Sequence, residues 1–433
     1  MKVCVFGLWH LGTVTAACLA DQGHSVTGLD FDDRVVQDLQ HGIPPLLEPG
    51  LQDLVQKGLA SNHLQFTSDP HTAISSARVI WVTFDTPVDD EDRADANFVI
   101  EQVERIFSDL SDGALVIISS QLPVGSTAAL EAAWRGSYPE KTVSFAYSPE
   151  NLRLGQAIRI FTKPDRVVVG VRNEENRETI VSLLENITER IEWMSVESAE
   201  MTKHALNAFL AVSVTFINEV AALCEQVGAD AREVERGLKS ESRIGPGAYL
   251  KPGAAFAGGT LARDVAFLKA IGDEKHVPVK LISSVATSNE MHKLWAYRRL
   301  RELLGVLAGK VVVVLGLTYK PGTDTLRRSS AVELCRHLVA DGVHVRVHDP
   351  AVTNVAYLPP DLKDHVELFP SPQEALRGAD AVVVATEWPI FRTLPSASFI
   401  EGSPDIIVLD ANGFLAATFE ECPAARYYAV GML

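Results

Sequence analysis

The chain opens with KVCVFGLWHLG, residues 2–12, in which an apolar run leads into a glycine turn and then into a helical pattern. A second apolar segment, residues 25–29, is followed by Asp30. In a strand–turn–helix unit, amides at the helix N-terminus can bind a pyrophosphate, and an acidic residue after the second strand can accept hydrogen bonds from ribose hydroxyls. The stretch therefore predicts a Rossmann-type dinucleotide site. Because the Asp30 carboxylate would repel a 2′-phosphate, the expected cofactor is NAD.

One position in this turn departs from the usual G-x-G-x-x-G pattern. Trp9 replaces the middle glycine, which normally lets the backbone approach the pyrophosphate, and an indole should push the cofactor away. A tight strand-to-helix turn that binds no ligand is therefore the alternative. The strand, the helix and Asp30 together favour NAD binding. The expected cofactor contacts in the turn are Gly7, Trp9, His10, Leu11 and Gly12.

Short apolar runs alternate with helical patterns over residues 1–195, as in a parallel sheet with crossover helices. The predicted strands there are 2–6, 25–29, 64–67, 78–83, 115–119, 143–146 and 166–170. Segment 199–227 has apolar residues at helical spacing and no Gly or Pro before Gly228, which predicts one long helix. A second alternating pattern starts at Lys310. Its predicted strands are 311–315, 344–348, 381–385 and 406–409.

These patterns predict an α/β protein in three parts. An N-terminal Rossmann-type doubly wound domain spans residues 1–195, and a central region with the long helix spans residues 196–305. A C-terminal Rossmann-like α/β domain spans residues 306–433. Since the long helix carries apolar surface for both an intrachain core and a partner helix, we expect a twofold homodimer.

The composition limits the classes of partner. The 433 residues carry a formal net charge of −17, which disfavours nucleic acid and anionic membranes and leaves room only for a local basic pocket that binds a phosphate. The sequence has no run of about 18 apolar residues and enters a strand at its N-terminus, so we expect a cytoplasmic protein that binds no membrane. The five cysteines show neither paired nor metal-ligand spacing, so we expect buried free thiols and no metal site.

Several motifs follow one another along the chain: EPGL at 48–51, PVGST at 123–127 and SPE at 148–150. Two longer stretches are SAEMTKHALNAFLAVSVTFINE at 198–219 and GLTYKPGTDTLRRSSA at 316–331. In these motifs and their order, the chain resembles the UDP-glucose/GDP-mannose dehydrogenase family almost from end to end. The strongest stretch, 198–219, is similar to the family's central helix, and 316–331 is equally typical. The resemblance implies a Rossmann NAD domain, a dimerising helix and a C-terminal nucleotide-binding domain.

The resemblance also implies a set of catalytic residues. A family member oxidises a sugar CH2OH twice, first to an aldehyde and then through a cysteine thioester that water hydrolyses. Lys203 and Asn207 match the positions that stabilise the carbinol anion, and their spacing places both on one helix face. Asp264 matches the family aspartate that works with water and the lysine, and Glu150 matches the glutamate beside the sugar. A solvent-facing surface lysine is the alternative for Lys203.

The expected nucleophile is missing. The family loop GFGGSCFPKD corresponds to AFAGGTLARD at 255–264, so Thr260 takes the place of the cysteine. A threonine hydroxyl is far less acidic than a thiol and needs an adjacent base. Gln121 replaces a family threonine and Leu154 a family glutamate, both in the hydrolytic half of the reaction. Because hydride transfer needs only the cofactor, an oriented C–H and a group that stabilises the oxyanion, we predict a two-electron alcohol/carbonyl reaction in which Thr260 can still hydrogen-bond the substrate oxygen.

Further contacts are implied by the resemblance. For the cofactor they are Arg34, Thr83, Thr86, Gln121 and Arg327. For the substrate they are Arg243, Tyr249, Gly258, Arg263 and Lys320. Cations in this set are consistent with a phosphorylated substrate, expected to be a nucleotide sugar, although solvated surface cations are the alternative. Two other functions stay open: an NAD(P)H-dependent dehydrogenase or reductase of another phosphate- or phosphonate-bearing molecule, and a non-catalytic nucleotide-binding protein.

Overall fold

The computed structural model describes residues 1–87, 94–150, 152–257, 259–401, 403, 405–420 and 425–432. The chain divides into two compact units, residues 1–206 and residues 207–433. Each unit contains one large sheet with helices packed against it. The predicted α/β class is therefore confirmed.

An eight-stranded sheet forms the centre of the first unit. Its strands are β1 (Lys2–Phe6), β2 (Ser25–Leu29), β3 (Leu64–Thr67), β4 (Val79–Val82), β5 (Leu115–Ile118), β6 (Ser144–Tyr147), β7 (Val167–Gly170) and β8 (Ile191–Met194). They lie in the order β3-β2-β1-β4-β5-β6-β7-β8, and the first six follow the doubly wound dinucleotide-binding order. Neighbouring strands are parallel except at one point, where Tyr147 of β6 pairs with Gly170 of β7 in an antiparallel bridge.

Helices of the first unit cover the sheet or follow its strands. They are α1 (His10–Asp21), α2 (Asp33–Gln40), α3 (Leu51–Ala60), α4 (Pro70–Ile74), α5 (Ala96–Arg105), α6 (Ser126–Ser137), α7 (Ala157–Thr162) and α8 (Glu174–Leu184). Helix α1 is buried from Leu11 to Ala20. Small residues let it approach the sheet, and at Gly12 an added Cβ would lie 1.7 Å from the carbonyl oxygen of Gly7.

The long helix α9 (Val196–Val227) begins three residues before its predicted start and ends at its predicted end. Gly228 follows it with φ of +77°, a left-handed conformation that favours glycine after a helix. Within the described chain, α9 is the one helix long and apolar enough to cross a membrane. Seven of its polar side chains are buried: Glu200, Lys203, His204, Asn207, Ser213, Thr215 and Asn218. Buried polar groups in proteins are normally hydrogen-bonded, as Glu200, Lys203 and His204 are here.

The second unit repeats the strand order of the first. Its strands are β9 (Val311–Leu315), β10 (His344–His348), β11 (Val366–Leu368), β12 (Ala381–Val384), β13 (Ile407–Asp410) and β14 (Arg426–Tyr428). They lie in the order β11-β10-β9-β12-β13-β14, and every neighbouring pair is parallel. Its helices are α10 (Ala231–Ser240), α11 (Thr260–Glu274), α12 (Lys280–Lys293), α13 (Trp295–Leu304), α14 (Ser330–Ala340), α15 (Pro372–Leu376), α16 (Ser396–Ile400) and α17 (Ala416–Phe419). The predicted Rossmann-like C-terminal sheet is confirmed.

Candidate functional site

The first candidate site is the turn between β1 and α1. Gly7 has φ of +97°, and an added Cβ there would lie 2.8 Å from Cγ of Phe84, so both the backbone conformation and the packing require glycine. The Thr83 hydroxyl donates to the carbonyl oxygen of Gly7 at 2.7 Å and fixes the turn from the adjacent strand. Because α1 begins at His10, its first amides have no helical acceptor and are free to bind an anion. This arrangement fits a dinucleotide pyrophosphate.

The carboxylate of Asp30 hydrogen-bonds the backbone at this turn. Its Oδ2 accepts from the amide of Leu8 at 2.7 Å, and its Oδ1 accepts from the amide of Asp32 at 3.0 Å. Each carboxylate oxygen has a further lone pair, which leaves acceptor capacity for ribose hydroxyls. Arg34 is exposed in the first turn of α2, whose N-cap is Asp32. The residues expected at the adenosine end therefore lie beside one another.

Trp9 occupies the N-cap of α1 and its side chain stays at the surface. The residue is 45% exposed, so the indole is not used to pack the turn. His10, the next residue, directs Nε2 to Oε2 of Glu48 at 3.1 Å. The same carboxylate accepts from the amides of Gly155 at 2.7 Å and Ala157 at 2.9 Å. Glu48 thus links the turn between β1 and α1 to the N-terminus of α7, a role that the EPGL motif did not predict.

The segment after β5 is positioned by α9. The Thr86 hydroxyl donates to the carbonyl oxygen of Gln121 at 2.6 Å, and both residues are buried. His204 Nε2 donates to the carbonyl oxygen of Leu122 at 2.9 Å. The carboxylate of Glu200 accepts from the amide of Gly125 at 2.6 Å and caps α6. No sequence pattern had singled out Glu200 or His204 for this role.

Lys203 and Glu150 contact each other within the first unit. Nζ of Lys203 donates to the carbonyl oxygen of Glu150 at 2.6 Å and lies 3.7 Å from its Oε1. The lysine side chain is 6% exposed, whereas that of Glu150 is 31% exposed. The second carboxylate oxygen of Glu150 accepts from the amide of Leu152 at 2.8 Å. The alternative of a solvent-facing lysine is therefore wrong, because the ammonium is buried and held by the loop after β6.

Asn207 and Asp264 are joined by a side-chain hydrogen bond in the second unit. The Asn207 side-chain amide donates to Oδ2 of Asp264, which is fully buried on α11. A donor held in this way keeps its orientation when a substrate oxygen approaches. Lys203 and Asn207 are four residues apart on α9, as the sequence spacing predicted.

Thr260 is the first residue of α11 and is exposed. Gly259 precedes it with φ of +104°. No other described residue hydrogen-bonds its hydroxyl, so no base in the described chain is placed to activate it. Gly258, the neighbouring position expected to contact substrate, lies outside the described residues.

The described cysteines do not replace the missing nucleophile. Cys4, Cys18, Cys224 and Cys335 are free and buried, whereas Cys422 lies outside the described residues. Burial raises the pKa of Cys335 to about 12, and burial together with the charge of Asp21 raises the pKa of Cys18 to about 12. Burial also raises the pKa of Cys4. Cys4, Cys18 and Cys335 are therefore poor sources of a thiolate, and Cys224 packs in the apolar core of the second unit.

The cations and the tyrosine expected at the substrate are mostly at the surface of the second unit. Arg243 is exposed and pairs with Glu241 at 3.1 Å, and Tyr249 is 58% exposed. Lys320 is exposed and lies 5.2 Å from the ring of Tyr319. Arg327 is exposed, whereas Arg263, on the first turn of α11, is half-buried. In the described part of the chain no three His, Cys, Asp or Glu side chains are grouped to hold a metal ion.

Comparison with known proteins gives a consistent result. The UDP-glucose/GDP-mannose dehydrogenase family matches with its NAD binding domain over residues 1–188, its central domain over 197–291 and its UDP binding domain over 313–417. The chain is 30% identical to UDP-glucose 6-dehydrogenase YwqF of Bacillus subtilis, over 100% of this chain and 98% of the relative. It is 34% identical to a UDP-glucose 6-dehydrogenase of Pseudomonas aeruginosa, over 93% and 91% of the two chains. The solved UDP-glucose dehydrogenase of Pyrobaculum islandicum superimposes with a TM-score of 0.83, at 29% identity and with 100% and 98% of the two chains covered.

Proposed function

The chain belongs to the UDP-glucose/GDP-mannose dehydrogenase family, and on that premise we propose that it oxidises its substrate once and releases a carbonyl product. It is an NAD-dependent dehydrogenase that acts on a CH–OH group. Family enzymes that make an acid need a nucleophile for the second step. The proposal is that this chain lacks that step, so one hydride leaves per turnover.

The observation that carries the proposal is the position of Thr260. Its hydroxyl is exposed at the start of α11 and has no partner among the described residues. An alcohol becomes a nucleophile only when an adjacent base removes its proton. The buried cysteines offer no substitute, and Leu154, which is 52% exposed, carries no carboxylate.

The residues needed for a single oxidation are present. The carbon gives up a hydride to NAD, the hydroxyl proton leaves to solvent, and a C=O double bond forms. The buried ammonium of Lys203 is suited to stabilise the oxygen as negative charge develops. The half-exposed Glu150 carboxylate can accept from a second hydroxyl of the substrate, and the Asn207 amide, held by Asp264, is a further donor.

The proposed substrate is a UDP-sugar. The match to the family's UDP binding domain and the names of the relatives support it. To test the product, the enzyme is incubated with NAD and UDP-glucose in the presence of hydroxylamine, which traps an aldehyde as its oxime. We expect the oxime as the main product by mass analysis. UDP-glucuronate as the main product would contradict the proposal, and no turnover of several UDP-sugars would point to another phosphorylated substrate.

We also infer that the protein is a cytoplasmic homodimer. An exposed apolar stripe runs along α9, formed by Phe209, Phe216 and Leu223 at seven-residue spacing, with exposed fractions of 66%, 49% and 66%. Such spacing places side chains on one face of a helix, where a second copy can pack. Buried free thiols in the described chain suit a reducing compartment. Light scattering tests the dimer: Phe209→Asp with Phe216→Asp should shift the mass towards the 47.1 kDa of one chain, and an unmodified protein already at that mass would contradict it.

A further inference from the structure

A cavity of about 560 Å³ lies in the first unit, where the loop that carries Glu150 lines it. Its volume is in the range of small-molecule sites, roughly 300–1,000 Å³. Pro149, Glu150 and Leu152 form one wall, and Leu11 of α1 forms part of another. Among the described residues on its walls, Leu11 alone belongs to the expected cofactor set and Glu150 alone to the expected catalytic set. The cavity therefore adjoins the candidate site but is lined mainly by other residues.

Positive charge is concentrated on the walls of this cavity, in a chain whose net charge is −17. The cationic side chains are Arg153, Arg159, Lys163, Arg166 and Arg190. The carboxylates are Glu150, which already pairs with Lys203, and Asp165. Cations grouped in this way raise the local concentration of anions.

Most of these cationic side chains have no partner among the residues that the structure describes. Within the described chain, the side chains of Arg153, Lys163 and Arg190 make no hydrogen bond or ion pair, and all three are exposed at the rim. The guanidinium of Arg166 also has none, although the residue is half-buried. No guanidinium nitrogen of Arg166 is among the buried unpartnered atoms of the described chain, so the group is open to solvent and can pair with an anion that enters the cavity.

The floor of the cavity is apolar and aromatic. The rings of Trp81 and Phe161 lie with centroids 6.1 Å apart, inclined by 44°. One polar atom on the wall is unsatisfied: the hydroxyl of Thr15, a residue 1% exposed, has no hydrogen-bond partner among the described residues. Ser119 beside it is used internally, since it accepts from the Trp81 indole at 2.7 Å. The cavity thus offers two aromatic rings and a cationic rim to a ligand, whereas the Thr15 hydroxyl is buried within its wall.

We propose that this cavity binds a phosphate monoester with an apolar, ring-sized body. The phosphate lies between Arg166 and Arg190, and the body rests against Trp81 and Phe161. Two guanidinium groups suit a doubly charged phosphate, with which they form charge-assisted hydrogen bonds. The cavity adjoins the proposed dehydrogenase site at Glu150 and Leu11, whereas Lys203 and Thr260 do not line it, so saturating NADH and UDP distinguish the two sites.

The test uses 1-naphthyl phosphate as the probe and isothermal titration calorimetry as the measurement. Saturating NADH and UDP are added first, so that the expected cofactor and nucleotide sites are filled. We expect one equivalent of probe to bind per chain, with a dissociation constant between about 10 and 500 μM. Inorganic phosphate, which lacks the body, and 1-naphthol, which lacks the charge, should each bind much more weakly.

Matched variants locate the site. Arg166→Ala with Arg190→Ala should weaken probe binding by at least about tenfold, because two charge-assisted hydrogen bonds are lost. Arg135→Ala removes the same charge from a side chain that is 71% exposed on α6, away from the cavity, and should leave binding unchanged. NADH affinity reports whether the double variant folds. If that affinity is lost, Arg190→Ala alone is the test, because Arg190 is exposed and its replacement should not disturb the fold. Probe binding that NADH or UDP abolishes, or that the arginine variants do not weaken, would overturn the proposal.

Discussion

Nζ of Lys203 donates a hydrogen bond to the carbonyl oxygen of Glu150 at 2.6 Å and lies 3.7 Å from the carboxylate of the same residue. A lysine on α9 is thereby fixed against the loop after β6 while its side chain is only 6% exposed. An ammonium has three donors, and this geometry uses one of them on the backbone. The remaining donors are available to Glu150 and to a substrate oxygen.

Replacement of Lys203 by Ala should therefore abolish the oxidation. No other cation in the described first unit is placed beside Glu150 as Lys203 is, so the oxyanion would lose its main stabilising charge. We expect kcat to fall by at least about 100-fold, the scale of losing one preorganised group. Reduced-cofactor absorbance measures the rate. Lys57→Ala, at a side chain 69% exposed, is the control for a lost surface charge, and NADH affinity should be unchanged in both variants. A Lys203→Ala enzyme of near-normal rate would remove Lys203 from the reaction.

Asp30 should set both the affinity for NADH and its selection over NADPH. Asp30→Ala should weaken NADH binding by about 1–2 kcal/mol, because hydrogen bonds to a charged acceptor are lost. Asp30→Asn separates two effects: its amide oxygen can still accept from the Leu8 amide, whereas the charge that repels a 2′-phosphate is gone. Fluorescence titration with both cofactors measures the result. Equal affinity of the unmodified protein for NADH and NADPH would show that Asp30 does not face the ribose.

Much of the fold followed from local patterns. Strands such as β1 and β9 are continuous runs of Val and other apolar residues, so their ends were predicted to the residue. Three strands were missed for a physical reason. β8 is half-exposed and carries Glu192, and β11 and β14 have only three residues each, so neither period nor composition distinguishes them from a loop.

The site was predicted less completely than the fold. Motifs located Lys203 and Asn207 on one face of a helix, whereas Asp264, which was expected in a loop, lies on α11. The contact of Lys203 with Glu150 joins residues 53 positions apart, and periodicity holds no information on such pairs. The same is true of Glu48, whose partners His10 and Gly155 are 38 and 107 positions away. Long-range polar contacts depend on tertiary packing, which local propensity does not encode.

Glu48 should be important for stability. Its side chain is 1% exposed and accepts from two backbone amides at the start of α7. Glu48→Ala leaves the buried amide of Ala157 and the partly buried amide of Gly155 without this acceptor, so we expect the free energy of unfolding to fall by about 1–3 kcal/mol. Urea denaturation followed by circular dichroism measures the change. Glu174→Ala, at a side chain 80% exposed, should change stability by less than about 0.5 kcal/mol. Equal effects of the two substitutions would contradict this role.

Stability should fall in mildly acidic solution because of two buried histidines, one in each unit. Burial is the main cause that lowers the pKa of His24 and of His292 below the ordinary value of 6.5. Below about pH 6.5 these histidines bind protons in the unfolded chain but not in the folded chain. Their contribution to the free energy of unfolding is therefore complete above that pH and is lost as the pH falls. We expect a lower Tm at about pH 5.5 than at about pH 7.5.

A variant of His292 tests the cause of this pH dependence. Nε2 of His292 donates to the carbonyl oxygen of Gly253 at 2.8 Å, and in His292→Gln the amide can donate instead without titrating. Differential scanning calorimetry should show a smaller difference in Tm between the two pH values for the variant. An unchanged difference would assign the effect to other groups.

We propose that this enzyme takes two electrons from its substrate, whereas the family resemblance alone implies four. The number of moles of NADH formed per mole of limiting UDP-sugar distinguishes the two, when the reaction is taken to completion with excess NAD and the product is identified by mass. We expect one equivalent of NADH and an aldehyde or its hydrate, because the Thr260 hydroxyl has no base beside it among the described residues. Two equivalents of NADH together with a carboxylate would contradict it and show that another group, or water itself, completes the second oxidation.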